Sequence, residues 1–197
     1  EWSAFLQTVR PMRIAYVAMI AFGVLVFDPR ALAPFELDLL LVTSAIWWLA
    51  AFAWIVFAPA KFSPVLTALA GVLALIPTGA ALGYLRLADQ RGAWLVLFVL
   101  VVIMAADVGA YFFGRLFGRV KLAPRVSPGK TWEGVLGGVL LSQLLAAVGA
   151  TAFGWPLEWL APLALAAVGF SIVGDLTESL LKRHTGVKDS GRWLPGH

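Results

Sequence analysis

Asp175, Glu178 and Lys182 stand at i, i+3 and i+7 in an apolar run that starts near Leu157. In a helix that spacing puts them on one face, with Ser179 beside them. Acidic groups near the end of a membrane-length helix are costly to bury without a purpose. Lys182, Arg183, Lys188 and Arg192 add four cations among turn-forming residues. Carboxylates for a metal beside cations for phosphates are the parts that phosphoryl or nucleotidyl transfer requires. Asp175 and Glu178 offer oxygen ligands to Mg2+, which keeps waters and substrate phosphates in its own shell. A membrane-buried ion-pair network with Lys182 is the structural alternative, and the two readings are compatible.

Asp107 lies inside another apolar run, followed by Tyr111 at i+4 and Gly114 at i+7. An intramembrane carboxylate reads as functional by default; an interfacial Asp satisfied by a hydroxyl or a cation is the plainer account. The polar stretch after it contains Ser127-Pro128-Gly129-Lys130-Thr131-Trp132-Glu133-Gly134. Ser127 followed by Pro128 predicts a helix N-cap with proline at the first helical position. Free amides at such a start, with Lys130 nearby, suit an anionic phosphate. A solvated basic loop fits the same residues. Gly129-Lys130-Thr131 is not a P-loop, because the first glycine of that pattern would fall on Pro124. His184 and His197 are not spaced as a zinc pair, and the chain has no Cys to assist them.

The elements that must position these residues are membrane helices. The 197-residue chain is 61% hydrophobic, against roughly 45–50% for a soluble domain. Its mean hydropathy is +0.88. The apolar residues form six continuous runs, at about Met12–Phe27, Leu37–Phe57, Val65–Tyr84, Ala93–Phe113, Val135–Phe153 and Leu157–Leu181. Continuous rather than alternating runs favour helices over a barrel. The expectation is an all-α polytopic bundle of about six membrane helices, forming a single integral-membrane domain. Residues 1–92 supply N-terminal membrane helices, and residues 93–197 carry the polar motifs. Pro77 is placed to kink the third helix. Gly134 and Gly138, with Gly137 adjacent, form a small-xxx-small pattern suited to close helix packing, with a substrate groove as the alternative use. Six crossings divide the basic residues very unequally: only Arg30, Arg86 and Arg91 of the 15 fall on one side. The rich side, with the long polar segments, should be cytoplasmic. Loop cations that set orientation explain the net charge of +4 better than nucleic-acid binding does. The chain opens on Glu1 rather than Met, so preceding sequence is expected.

Three separated motifs then resemble one family in the right order. Ser179-x-x-Lys182-Arg183, Lys188-Asp189-Ser190-Gly191 and Pro195-Gly196-His197 look like the C-terminal signature of phosphatidate cytidylyltransferases, the CDP-diacylglycerol synthases. Asp107-x-Gly109-Ala110-Tyr111-Phe112-x-Gly114-Arg115 and Ser127 to Gly134 look like upstream parts of the same family. The resemblance covers roughly Asp107 to His197. It implies a Mg2+-dependent enzyme of the lipid bilayer that joins CTP and phosphatidic acid, giving CDP-diacylglycerol and pyrophosphate. It implies an inner-membrane location in a bacterium, with a homodimer as a candidate assembly. The aspartate matching Asp175 is a metal ligand in the family. Catalytic roles are implied for Asp175, Lys182, Arg183, Lys188 and Asp189. Substrate contacts are implied for Asp107, Tyr111, Ser127, Lys130, Thr131, Glu133, Glu178, Ser179, Arg192 and His197. A second acidic motif of the family normally follows the histidine after two glycines, beyond His197. Action on another lipid phosphate, such as an ether lipid, fits the same motifs. A transporter would instead need a midplane site of broken helices and internal repeats, and a scaffold would not need clustered charge motifs.

The basic asymmetry carries a direct prediction about orientation. The chain has no native Cys, so single cysteines introduced at Val126 and Val187 report sidedness cleanly. Both should react with a membrane-impermeant thiol reagent only from the cytoplasmic face. Labelling of both from outside would reverse the orientation.

Overall fold

In hydrocarbon every backbone polar group needs a partner within the protein, so long apolar runs become helices. The computed structural model describes residues 2–57, 63–88, 90–124 and 126–186. Among them a 3-10 turn, Trp2–Leu6, precedes six helices: α1 Arg10–Val26, α2 Pro34–Phe57, α3 Pro64–Ala88, α4 Gly92–Phe117, α5 Trp132–Phe153 and α6 Leu157–Thr185. The helices α2 to α6 are each long and apolar enough to cross a membrane. At 17 residues, α1 rises about 26 Å, short of a hydrocarbon core of about 30 Å. The all-α polytopic expectation therefore holds, with five helices rather than six meeting the length of a full crossing. Between α4 and α5 stands a small antiparallel hairpin, β1 Lys121–Ala123 and β2 Ser127–Thr131.

Helix starts follow local chemistry. Pro34 opens α2, and the Glu36 carboxylate accepts from the Ala33 N–H at 2.9 Å, half of a capping box. Pro64 opens α3, and the Ser63 hydroxyl accepts from the Leu66 N–H at 3.2 Å. The same Ser-Pro signal at Ser127-Pro128 is not used this way, which corrects the N-cap expected there. Ser127 and Pro128 lie in β2, and Thr131 caps α5 by accepting from the Gly134 N–H at 3.1 Å. Pairing with β1 holds Ser127 extended, so the helix starts at the next residue able to cap it. Gly154, at φ 70°, ends α5 in the left-handed conformation that glycine adopts without strain.

The chain divides into two compact units. One holds the described parts of Glu1–Gln90 and Thr177–His197, the other Arg91–Leu176. In the first unit Pro77 sits inside α3 and cannot donate to the Leu73 carbonyl one turn before it. Ser44 of α2, almost fully buried, donates to that carbonyl at 3.2 Å. Two more side chains reach α3 carbonyls: Trp2 Nε1 donates to Thr67 and Tyr16 Oη to Ala68, both at 2.9 Å. They converge over Gly71, where a Cβ would collide with the Tyr16 hydroxyl and the Trp2 indole.

In the second unit α4 and α5 meet backbone to backbone. A Cβ on Gly109 would strike the Gly137 carbonyl, and one on Gly138 would lie 2.8 Å from the Ala106 carbonyl oxygen. The buried face of α5 is correspondingly small: Gly134, Gly137, Gly138, Ser142, Ala146 and Gly149. This is the close packing read from the glycine spacing. Beyond it Val102, Ala146, Leu160 and Ala164 form a core that draws in α6, with Phe98 packed alongside. Gln143 of α5 also donates to the Ala161 carbonyl of α6 at 3.0 Å.

Two predictions follow from these contacts. Gly109→Ala should cost about 1–3 kcal/mol of stability, because the added methyl displaces backbone rather than a flexible side chain. Gly169→Ala, with nothing within 4 Å of the new Cβ, should be neutral or stabilise by up to about 1 kcal/mol through helix propensity. Thermal unfolding in detergent compares the two, and equal effects would contradict the backbone contact. Ser44→Ala should cost about 1 kcal/mol. Its cost should shrink in a Pro77→Ala background, where α3 regains the N–H that satisfies Leu73. Equal costs in both backgrounds would place the role of Ser44 elsewhere.

Candidate active site

The hairpin is held by its base. The Trp132 N–H donates to the Val120 carbonyl at 2.9 Å. The Val120 N–H in turn donates to the Glu133 carboxylate, at 3.1 and 3.2 Å to its two oxygens. Thr131 is buried, and a Cβ on Gly114 would lie 3.1 Å from its hydroxyl oxygen. The absence of side chains at Gly114 and Gly118 lets Thr131 seat against the end of α4. Register pairs Lys121 with Thr131 and Ala123 with Ser127. The antiparallel pairing agrees with rejecting a P-loop, which needs a parallel strand before its glycine-rich turn.

Lys130 leaves β2 one residue before this anchor, and its ammonium pairs directly with the Asp175 carboxylate on α6. The Lys130 side chain is 23% exposed and that of Asp175 is 57% exposed. Asp107, on α4, lies within electrostatic reach of both charges. Two residues far apart in sequence thus pair from a strand and a helix, with the charge of Asp107 on a second helix near enough to be felt by both. Sequence reasoning singled out each of them without joining them. A lone intramembrane carboxylate calls for a partner, and that is the signal that could have linked Asp107 to the other two.

The sequence offered an ion-pair network of the Asp175 and Glu178 face with Lys182; the structure shows its Glu178 arm, while Asp175 pairs with Lys130. Lys182 pairs with Glu178 at 2.9 Å, four residues before it. The i+4 neighbour is one turn away, about 6 Å along the axis, whereas i+7 is nearly two turns away. Glu178 is therefore engaged with a cation of its own helix, and the carboxylate that shares surroundings with Asp175 is Asp107. Among the described residues no group of three or more carboxylates and histidines is gathered for a metal.

The remaining expected residues fall in different places. Tyr111, one turn beyond Asp107, accepts a 2.7 Å hydrogen bond from Arg115, whose guanidinium lies 5.9 Å from the ring centroid. Ser127 is half-buried in β2. Glu133 is committed to the base of the hairpin, beside the charge of Arg119. Ser179 is half-buried and Arg183 exposed on the last turns of α6. Lys188, Asp189, Arg192 and His197 lie outside the described residues, as does the side chain of His184.

Chemically, the site in the second unit offers two carboxylates for a hard cation and one ammonium for an anion. The donor set fits Mg2+. The Asp175 carboxylate is more than half uncovered and can accept further ligands, and two carboxylates suffice for an ion that retains its waters.

Comparison with known proteins shows the family to which this chain belongs. The model of the cytidylyltransferase family matches residues 1–197. The phosphatidate cytidylyltransferase of Haemophilus influenzae is 38% identical over 223 residues, covering 100% of this chain and 77% of that protein. That of Pseudomonas aeruginosa is 45% identical over 130 residues, covering 64% of this chain and 48% of the relative. That of Bacillus subtilis is 43% identical over 115 residues, covering 57% and 43%. The chain thus spans about three quarters of the first relative and, in the matched regions, less than half of the other two. The resemblance read from three motifs extends over the full length, and the chain belongs to the cytidylyltransferase family.

Proposed function

We propose that the chain transfers the cytidylyl group of CTP to phosphatidate, forming CDP-diacylglycerol and pyrophosphate. The observation that carries this reading is the meeting of Lys130 with Asp175, with Asp107 in reach of both, in a chain whose relatives bear that activity in their names. The reaction needs no protein nucleophile. A phosphate oxygen of phosphatidate forms a bond to the α-phosphorus of CTP. The bond from that phosphorus to the oxygen bridging to the β-phosphate breaks, and pyrophosphate leaves with the electron pair.

The residues present divide the work. Asp175, with Asp107 as a second carboxylate, would hold Mg2+. When bound, Mg2+ supplies Lewis-acid polarisation and neutralises charge on the phosphates. Lys130 offers a compact ammonium that orients a phosphate group. Lys182 and Arg183, with Lys188 and Arg192 further on, extend the supply of cations for two highly charged substrates. The hairpin base, fixed by Thr131 and Glu133, keeps Lys130 in register with α6. Acyl chains enter laterally from the bilayer, and CTP arrives from the cytoplasm, the side to which positive loop charge assigns the hairpin. In a bacterium that membrane is the inner one.

The test is turnover of labelled CTP against a panel of lipid phosphates, ether lipids included, in nanodiscs sized to separate a monomer from a homodimer. Phosphatidate should be the preferred acceptor. Asp175→Asn nearly preserves shape but removes the charge that holds the metal. It should lower turnover by about a hundred- to a thousandfold, or about 3–4 kcal/mol of barrier, in a folded protein. If the Asp175 charge serves only the ion pair with Lys130, the loss should appear as instability that neutralising Lys130 partly repairs. Near-normal turnover in folded Asp175→Asn protein would remove Asp175 from the chemistry.

A further inference from the structure

The Lys130 ammonium occupies the carboxylate that the proposed reaction needs for its metal. A divalent cation at Asp175 has the same sign as Lys130, so the two compete for one partner. A triphosphate has the opposite sign and attracts both. The backbone of Lys130 is fixed, because Thr131 beside it is buried and caps α5. Its side chain is a compact charge on a four-carbon rotatable stem, so it can change partner without moving the strand. Asp175, more than half uncovered, is open to a further ligand. Asp107 adds a second negative charge to the same surroundings. Without a cation these two carboxylates repel each other, and Lys130 relieves that repulsion.

We infer that Lys130 is the resident counter-cation of the metal site, exchanging Asp175 for a substrate phosphate when the metal enters. Lys130 is then a positioning residue with two successive partners. It opposes metal binding while the site is empty of nucleotide and supports it once a triphosphate is present. The inference rests on Asp175 being the metal ligand of the proposed reaction. The four-carbon stem is essential to it: the charge must swing between partners while β2 stays paired.

The experiment measures Mn2+ binding by electron paramagnetic resonance, using the full chain in nanodiscs without nucleotide or phosphatidate. Lys130→Gln should bind Mn2+ about tenfold more tightly than wild type, because an opposite charge that close biases a carboxylate by about that factor or more. Lys130→Arg, which keeps the charge, should stay near wild type. Lys121→Gln, which removes a cation of the same hairpin on the other strand, should also stay near wild type. Adding CTP should reverse the order, with Lys130→Gln now the weaker binder. Unchanged or weaker binding by Lys130→Gln without nucleotide would overturn the exchange. Equal tightening in Lys121→Gln would overturn it too, by reducing the effect to general surface charge. Wild-type protein supplies a second readout that needs no variant to fold. Reaction of the Lys130 amine with an acylating reagent, read by mass spectrometry, should rise on adding Mn2+ alone; a constant or falling rate rejects the release of Lys130. Neither measurement uses turnover. A chain that orders its variants this way yet transfers no cytidylyl group would sink the proposed reaction and leave the exchange standing.

Discussion

Where α4 crosses α5, a carbonyl of one helix occupies the place that a Cβ of the other would need. Gly109 faces Gly137, Gly138 faces Ala106 and Gly134 faces Ala110. In lipid the apolar driving force between helices is weak, so van der Waals fit and backbone approach must supply the association. The rest of the second unit depends on that approach. It seats Thr131 against the end of α4, starts α5 at a fixed point and sets the hairpin beside it. Wider spacing would carry β2, and Lys130 with it, away from Asp107 on α4.

Polar groups inside the helices follow one rule of pairing, applied at two levels. Some pairs are structural: Ser44 satisfies the carbonyl that Pro77 leaves open, and Gln143 ties α5 to α6. Glu133 belongs with these, since its carboxylate holds a backbone amide at the foot of the hairpin. Lys130 and Asp175 differ in kind. Both are charged, they come from separate elements, and one of them is largely uncovered. An ion pair that joins two elements and remains open to solvent or ligand can be exchanged, whereas a hydrogen bond that completes a backbone turn cannot be without unfolding that turn. This distinction separates the chemistry of the site from the scaffolding around it, although acidic and basic residues occur in both.

The apolar runs, their lengths and the membrane class were legible in the sequence because a bilayer imposes one backbone solution on long apolar stretches. Close packing by the glycine face of α5 was legible too, from small residues at helical spacing, although not that α4 is its partner. The motifs were sufficient to name a family, because residue type and order survive without coordinates. Local capping was less secure. Ser-Pro begins a helix at Ser63-Pro64 and a strand at Ser127-Pro128, and the two dipeptides are chemically identical. What separates them is whether a second strand lies within pairing distance.

The partners of Asp175 and Lys130 were decided by tertiary structure. Helical periodicity placed Asp175, Glu178 and Lys182 on one face and so suggested a self-contained cluster. Within the helix Glu178 and Lys182 form the i+4 pair. Asp175 finds its cation on a hairpin and its companion carboxylate on α4. Sequence determines which residues are charged, how they repeat along a helix and which runs must cross the bilayer, because those are properties of neighbours along the chain. Which charge meets which across elements depends on how closely two backbones approach, and that distance exists only once the helices have packed.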